Sequence, residues 1–316
     1  DYTWDKDDYT GQYAYEWLNG IYTFVPGALD RYNGQPLDVF SGDAIPTDAN
    51  SAAWPYIRSG YSVGNMFQLD YSKGNNDVFG DSWDKLYAAI RRCNIFLKNY
   101  RQIPWSDKQQ EMYYGNECRA LRAYFYMILL RDYGGIPLIG DAVYSVSSPE
   151  LKQLKRASYS DCVKYISDEF DAVQDSLRPY PDLSDRQIPV NNTGYGIEAS
   201  GQDQDYAKIR KWAVIGLKAR LYLYAASALY NGTGKADQPW LGYPTADPSL
   251  WKVAADDCRV IINTGQFKLE PNRAQMEYEF KNGEYLWTKS CYTTNQRYSW
   301  NWTTYQLPMG FKLLAI

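Results

Sequence analysis

Apolar residues recur at helical spacing along most of this 316-residue chain, and the run Glu117–Leu138 shows the pattern most fully. Leu121, Phe125, Ile128 and Leu129 fall at i, i+4, i+7 and i+8, one face of a helix, and Ala120 and Ala123 favour that state by propensity. Gly134-Gly135 can take the left-handed dihedrals that close a helix, and Pro137 cannot continue one, so the helix is predicted to end near Tyr133. The same pattern predicts helices over about 9–22, 80–101, 107–133, 159–178, 206–230 and 250–264. In the fifth, Leu217, Leu221, Tyr224 and Ala228 make one stripe and Ala219, Leu223 and Ala226 a second, as in a helix packed between neighbours. The expectation is an all-α chain of stacked helical hairpins; the pattern fits tetratricopeptide-like pairs, whose faces are buried by stacking, although no strict 34-residue repeat is visible.

Loops rich in Gly, Asn, Asp, Ser and Pro separate these helices over Gly27–Tyr61, Asp182–Asp205 and Asn231–Pro248. Long loops on a rigid scaffold are where binding groups are usually presented. Helical periodicity fades from Asn282, where Tyr, Trp, Thr and Asn dominate.

Composition removes several functions. The net charge is −4 and no basic run exceeds two residues, which argues against a nucleic-acid partner. The longest apolar stretch, Ala123–Leu130, is far shorter than the ~20 residues that span a bilayer. Histidine is absent, which excludes Ser-His-Asp and Cys-His nucleophiles, HExxH metal sites and imidazole acid–base catalysis. The five cysteines show no metal-binding spacing, and Cys93, Cys118, Cys162 and Cys258, in predicted helices, read as small buried hydrophobes.

Aromatic side chains are abundant, with 31 Tyr, 11 Trp and 10 Phe. A pyranose stacks its C–H faces on such rings while its hydroxyls seek Asp, Asn, Arg and Gln. One stacking ring contributes on the order of 1–2 kcal/mol by burial. Two clusters fit. The first lies in a run read as non-helical, Ser41–Tyr61, and offers Asp43, Trp54, Tyr56 and Arg58. The second offers Tyr292, Asn295, Tyr298, Trp300 and Trp302, the last three alternating with polar residues as on one face of a strand. Structural packing and contact with a protein partner compete with ligand binding at both. Trp83, Trp212, Trp251 and Trp287 lie in or beside helical blocks and are expected in the core. Glu117, Arg119 and Arg122 are expected to make helix-surface ion pairs or inter-helix contacts.

Other motifs fail on context. Gly194-x-Gly196-x-x-Ala199 follows no strand, and Gly232-Thr233-Gly234-Lys235-Ala236 lacks the spacing of a phosphate loop. Asp182, Asp185, Asp203 and Asp205 offer oxygen ligands for calcium without a complete binding-loop pattern. No catalytic residue, metal ligand or cofactor is assigned.

The Glu117–Leu138 segment resembles the signature helix of the SusD/RagB family, nutrient-binding outer-membrane lipoproteins of Bacteroidetes, through Glu117, Leu121, Arg122, Ala123, Tyr124, Tyr126, Tyr133, Gly134, Gly135, Pro137 and Leu138. Four further blocks follow the family order: Trp83–Tyr87 leading to Asn94–Phe96; Arg156–Tyr159 leading to Tyr165–Ile166; Leu217–Ala226 with Leu229–Asn231; and Trp251 with Ala254–Ala255 leading to Gly265, Phe267 and Leu269. The resemblance implies a single SusD-like domain over 1–316, a helical scaffold at about 9–270 and, from 271, the start of an irregular C-terminal region that looks truncated. It also implies a non-catalytic, lipid-anchored protein on the cell surface, its anchor outside this chain, which captures oligosaccharide or polysaccharide for a SusC-like TonB-dependent transporter. A RagB-like peptide binder and an all-α glycoside hydrolase, whose two carboxylates would come from 37 acidic residues, are the alternatives. A helical-repeat adaptor that binds only protein partners is a third.

Overall fold

A computed structural model of the chain describes residues 6–26, 43–46, 54–59, 83–145, 147–178, 208–269, 271 and 284–287. Among them are seven α-helices: α1 Gln12–Tyr22, α2 Trp54–Ser59, α3 Trp83–Asn99, α4 Lys108–Tyr133, α5 Tyr159–Val173, α6 Lys211–Ala226 and α7 Ser249–Asn263. Turns of 3-10 helix prolong α3 over Tyr100–Gln102 and α5 over Gln174–Ser176, and two more, Pro149–Gln153 and Pro239–Leu241, lie in connections. The chain forms two compact units. One comprises Asp1–Tyr22 and Leu86–Thr288; the other comprises Thr23–Lys85 and Lys289–Ile316 and contains α2.

The all-α, stacked-hairpin expectation holds. In the larger unit α4 packs on α5, α5 on α6 and α6 on α7, while α1 rests on α4. The central helix, α4, has the boundaries its sequence announces. Asp107 caps its start by accepting from the Gln109 and Gln110 amides at 2.8 and 3.2 Å. Its end falls at Tyr133, where Gly134 takes a φ of 73° and returns its N–H to the Leu130 carbonyl at 2.9 Å. Leu121, Phe125, Ile128 and Leu129 are buried, as are Ala120, Ala123 and Tyr126 around the rest of the cylinder. A helix apolar on nearly every side belongs in the middle of an array.

In α5, Tyr159, Cys162, Val163, Ile166, Phe170 and Val173 form one buried face, and Ser158 caps the helix by accepting from the Asp161 amide at 3.0 Å. Two expectations about α6 need adjustment. It spans Lys211–Ala226 instead of 206–230, and two stripe residues are exposed, Leu223 and, beyond its end, Ala228.

Other core assignments also change. Cys93, Cys118 and Cys162 are buried, and burial pushes the Cys162 thiol up to about 11, but Cys258 is exposed on α7; Cys291 lies outside the described residues. Trp83 and Trp251 are 38% and 49% exposed, and Trp212 and Trp287 are only half-buried, so none of the four belongs to the core. Trp212 donates its indole N–H to Gln266 at 2.9 Å, and Trp287 meets Tyr124 edge-on at 5.1 Å. A large ring with a polar N–H settles at the margin of a helix layer, where one side can stay wet.

Candidate ligand-binding site

The rigid frame of the larger unit is polar as well as apolar. Glu117 and Arg122, expected to pair on the helix surface or between helices, are only 0% and 2% exposed, so the inter-helix reading is the correct one. Arg122 donates to Asn94 of α3 at 2.8 Å, to Asp141 at 2.6 Å and to Glu169 of α5 at 2.9 Å. Arg119, one turn earlier, donates to the same Glu169 at 2.8 Å. Burial pushes the Glu169 carboxyl up, but the hydrogen bonds and charges of the two arginines outweigh it and hold the group below its usual range. Glu117 accepts from Arg178 at 2.8 Å and from the Tyr22 hydroxyl of α1.

The segment that leaves α4 is held from behind by side chains. Tyr87 donates to the Pro137 carbonyl at 2.7 Å, Tyr126 accepts from the Ile139 amide at 3.0 Å, and Asn94 donates to the Gly140 and Ala142 carbonyls at 2.9 and 2.8 Å. The two glycines of the helix stop are also explained by contact. A Cβ on Gly134 would lie 2.6 Å from the Trp240 carbonyl oxygen, and one on Gly135 would lie 2.2 Å from that of Ala157. Arg156 then donates to the carbonyls of Gly135 and Tyr133, which caps the end of α4. The Tyr-Gly-Gly and Arg-Ala-Ser blocks, separate in sequence, therefore form one joint.

The candidate ligand residues belong to the other unit. The first cluster is not wholly irregular, because Trp54–Ser59 is the short helix α2. Pro55 is compatible with a first turn, where its missing N–H has no partner to lose. One turn on, the Arg58 guanidinium lies 4.9 Å from the centre of the Trp54 ring. Helical spacing thus joins two of the predicted residues; the overlooked signal was a Trp-Pro start with Arg four residues after the Trp. Arg58 is exposed, Trp54 half-buried and Asp43 exposed. The pair is a cation–π contact that leaves the guanidinium exposed. Tyr56 is on α2, but its side chain lies outside the described set, as do Tyr292, Asn295, Tyr298, Trp300 and Trp302. Both clusters fall within the same compact unit.

No group of carboxylates, cysteines or histidines fit to hold a metal occurs among the described residues, and Asp182, Asp185, Asp203 and Asp205 lie outside them. No described helix is long and apolar enough to cross a membrane. Sequence reasoning did not single out the aromatic group of the α6–α7 connection, where Tyr230 stacks on Tyr159 at 4.5 Å and Arg156 lies 5.5 Å from the Trp240 ring. The loop composition was visible there; the partners were not.

The stacked helical hairpins of the larger unit define a fold class. A sequence model of the SusD-like family, described as starch-binding and associating with the outer membrane, matches residues 41–182. The match is in agreement with the ordered sequence blocks, three of which fall within those residues. It is 30% identical over 202 residues to SusD-like protein P38 of Formosa agariphila, a match covering 64% of this chain and 30% of that protein. A SusD-like protein of Bacteroides fragilis shares the fold with a TM-score of 0.53 and 16% identity, over 90% of this chain and 45% of its own. Surface glycan-binding protein A of Bacteroides uniformis does so with a TM-score of 0.51 and 14% identity, over 88% of this chain and 52% of its own. The chain therefore spans about a third of the curated relative and about half of the solved structures.

Proposed function

We propose that this chain belongs to a non-catalytic cell-surface protein that captures oligosaccharide or polysaccharide and passes it to a SusC-like TonB-dependent transporter. The observation that carries the reading is the Arg58 guanidinium over the Trp54 ring on α2. A ring and a cation held together by backbone periodicity can bind a sugar with little ordering of their own, which lowers the entropic cost of capture. The starch-binding, membrane-associated description of the matching family supports this reading, as does the glycan-binding name of the Bacteroides uniformis relative. Asp43, Tyr56 and the aromatic run Tyr292–Trp302 are proposed to complete the surface. Two or three rings with a few polar contacts suffice for micromolar to millimolar affinity, roughly 4–8 kcal/mol. Attachment to the outer membrane, through a lipid anchor outside these residues, is part of the same proposal.

Affinity electrophoresis and titration calorimetry against a panel of plant, host and microbial glycans test it. Retardation by at least one glycan that Trp54→Ala abolishes supports the reading. Heat from an oligopeptide library with none from any glycan would replace it with peptide capture, and release of reducing sugar that one carboxylate replacement stops would make the protein a hydrolase. Binding of protein partners alone would leave a helical adaptor.

A further inference from the structure

We propose a second saccharide contact, selective for sugars that carry a carboxylate or sulfate, where Trp240 and Leu241 stand beside Arg156. It rests on the reading of the protein as a saccharide binder but uses none of the residues on α2. The connection between α6 and α7, residues 227–248, is much longer than the 2–8 residues that usually join packed helices. It is also tightly built. The Tyr243 amide donates to the Tyr230 carbonyl at 2.7 Å and the Gly234 amide to the Tyr243 carbonyl at 2.9 Å. Asn231 both accepts from the Asp247 amide at 2.7 Å and donates to its carbonyl at 2.9 Å. Tyr230 is stacked on buried Tyr159.

This framework fixes the turn Pro239–Leu241, whose Trp240 carbonyl accepts from the Gly135 amide at 2.7 Å. The hydrogen bond uses the backbone of Trp240, not its ring. The indole N–H meets no acceptor among the described residues, the ring is half-buried against Arg156, and neighbouring Leu241 is 42% exposed. Arg156 spends Nε and one terminal nitrogen on the end of α4, which immobilises the guanidinium and leaves its charge at the surface. Immediately upstream, exposed Lys152 and Lys155 have no ion-pair partner among the described residues, and the stretch Pro149–Arg156 sets three cations against one acid, Glu150, in a chain of net charge −4. An apolar ring face, an unused N–H donor and unpaired cations match a pyranose that bears an anionic group. A neutral sugar would leave the cations without a role.

The test is affinity electrophoresis of the full chain in neutral glucan and galactan gels and in polyuronate and sulfated galactan gels, over a salt series. The expected result is stronger retardation by the anionic polymers, weakened about tenfold by Trp240→Ala. Lys152→Gln combined with Lys155→Gln should flatten the salt dependence. Leu241→Asp, an exposed change that places a negative charge at the contact, should abolish anionic binding with an unchanged melting curve; it keeps the test valid if Trp240→Ala is unstable. Anionic retardation that neither Trp240→Ala nor Leu241→Asp alters overturns the proposal, as does equal retention on anionic phospholipid vesicles, which would mark a plain charge patch. If neutral and anionic glycans bind alike and only Trp54→Ala matters, saccharide capture stands and this contact falls. If no glycan is retarded, both fall.

Discussion

Arg122 and Arg58 are the same side chain in opposite circumstances. Arg122 is sealed between α3, α4 and α5, with Asn94, Asp141 and Glu169 as partners. Arg58 lies exposed on a short helix, where its described neighbour is the Trp54 ring. The first cation is committed on several sides, so it can organise the frame but can offer nothing to a ligand. The second is held through one ring and keeps donor capacity. Residue type is alike in the two places; burial and the number of committed donors separate a structural charge from the one proposed to bind.

That contrast can be tested from both ends. Arg122→Ala should have the largest effect, about 3–5 kcal/mol, because it removes a buried side chain bonded to Asn94, Asp141 and Glu169, leaving the Asn94 side-chain oxygen buried without its donor and Glu169 with Arg119 alone; urea unfolding followed by circular dichroism measures it. A loss below about 1 kcal/mol would show that the network is slack. Gly135→Ala comes next, at about 2–3 kcal/mol, since its methyl cannot coexist with the Ala157 carbonyl unless the joint between α4 and α5 opens. The same unfolding experiment should show unchanged helix content and a lower midpoint. Glu169 has a smaller, pH-dependent signature. Its folded-state pKa is depressed, so its stabilisation is complete above the unfolded carboxylate value of roughly 4.3 and is lost as pH falls through the lower folded value. Glu169→Gln should therefore lower the midpoint at pH 7 and flatten the acid limb; an acid limb identical to the parent's would refute the role of the pair. Arg58→Ala should be the mildest for stability, within about 0.5 kcal/mol, while weakening saccharide retention. A large loss of stability there would move Arg58 into the same category as Arg122.

Much of the frame was legible. The boundaries of α4 follow from Asp107 and Gly134, whose capping is a local matter settled within a few residues. Buried charge was harder to read. Arg122 finds Glu169 47 residues away, and Glu117 finds Arg178 61 residues away, distances over which periodicity carries no information. Tryptophan misled in the opposite direction. Size and helical context placed Trp83 and Trp251 in the core, yet both stand at the margin because α3 and α7 bury other faces, through Leu86 and Ile90 in one and Leu250 and Ala254 in the other. At the candidate site, loop composition drew attention to Trp54 and Arg58 but concealed the short helix that pairs them. The richness of the α6–α7 connection in Gly and Pro gave no warning that it would be tied down by Tyr159 and Asp247.

The latch on α1 bears on how the molecule is made. The Tyr22 hydroxyl accepts from the Ile209 amide at 2.9 Å across 187 positions, and Lys208 reaches Asn19 across 189. During synthesis the first helix must wait for most of the remaining array to emerge before its clasp exists, since long-separation contacts form only after the intervening chain is in place. Its apolar side, Ala14, Leu18 and Ile21, can settle earlier, because α1 packs on α4, so the clasp at 208–209 locks a contact that is already made.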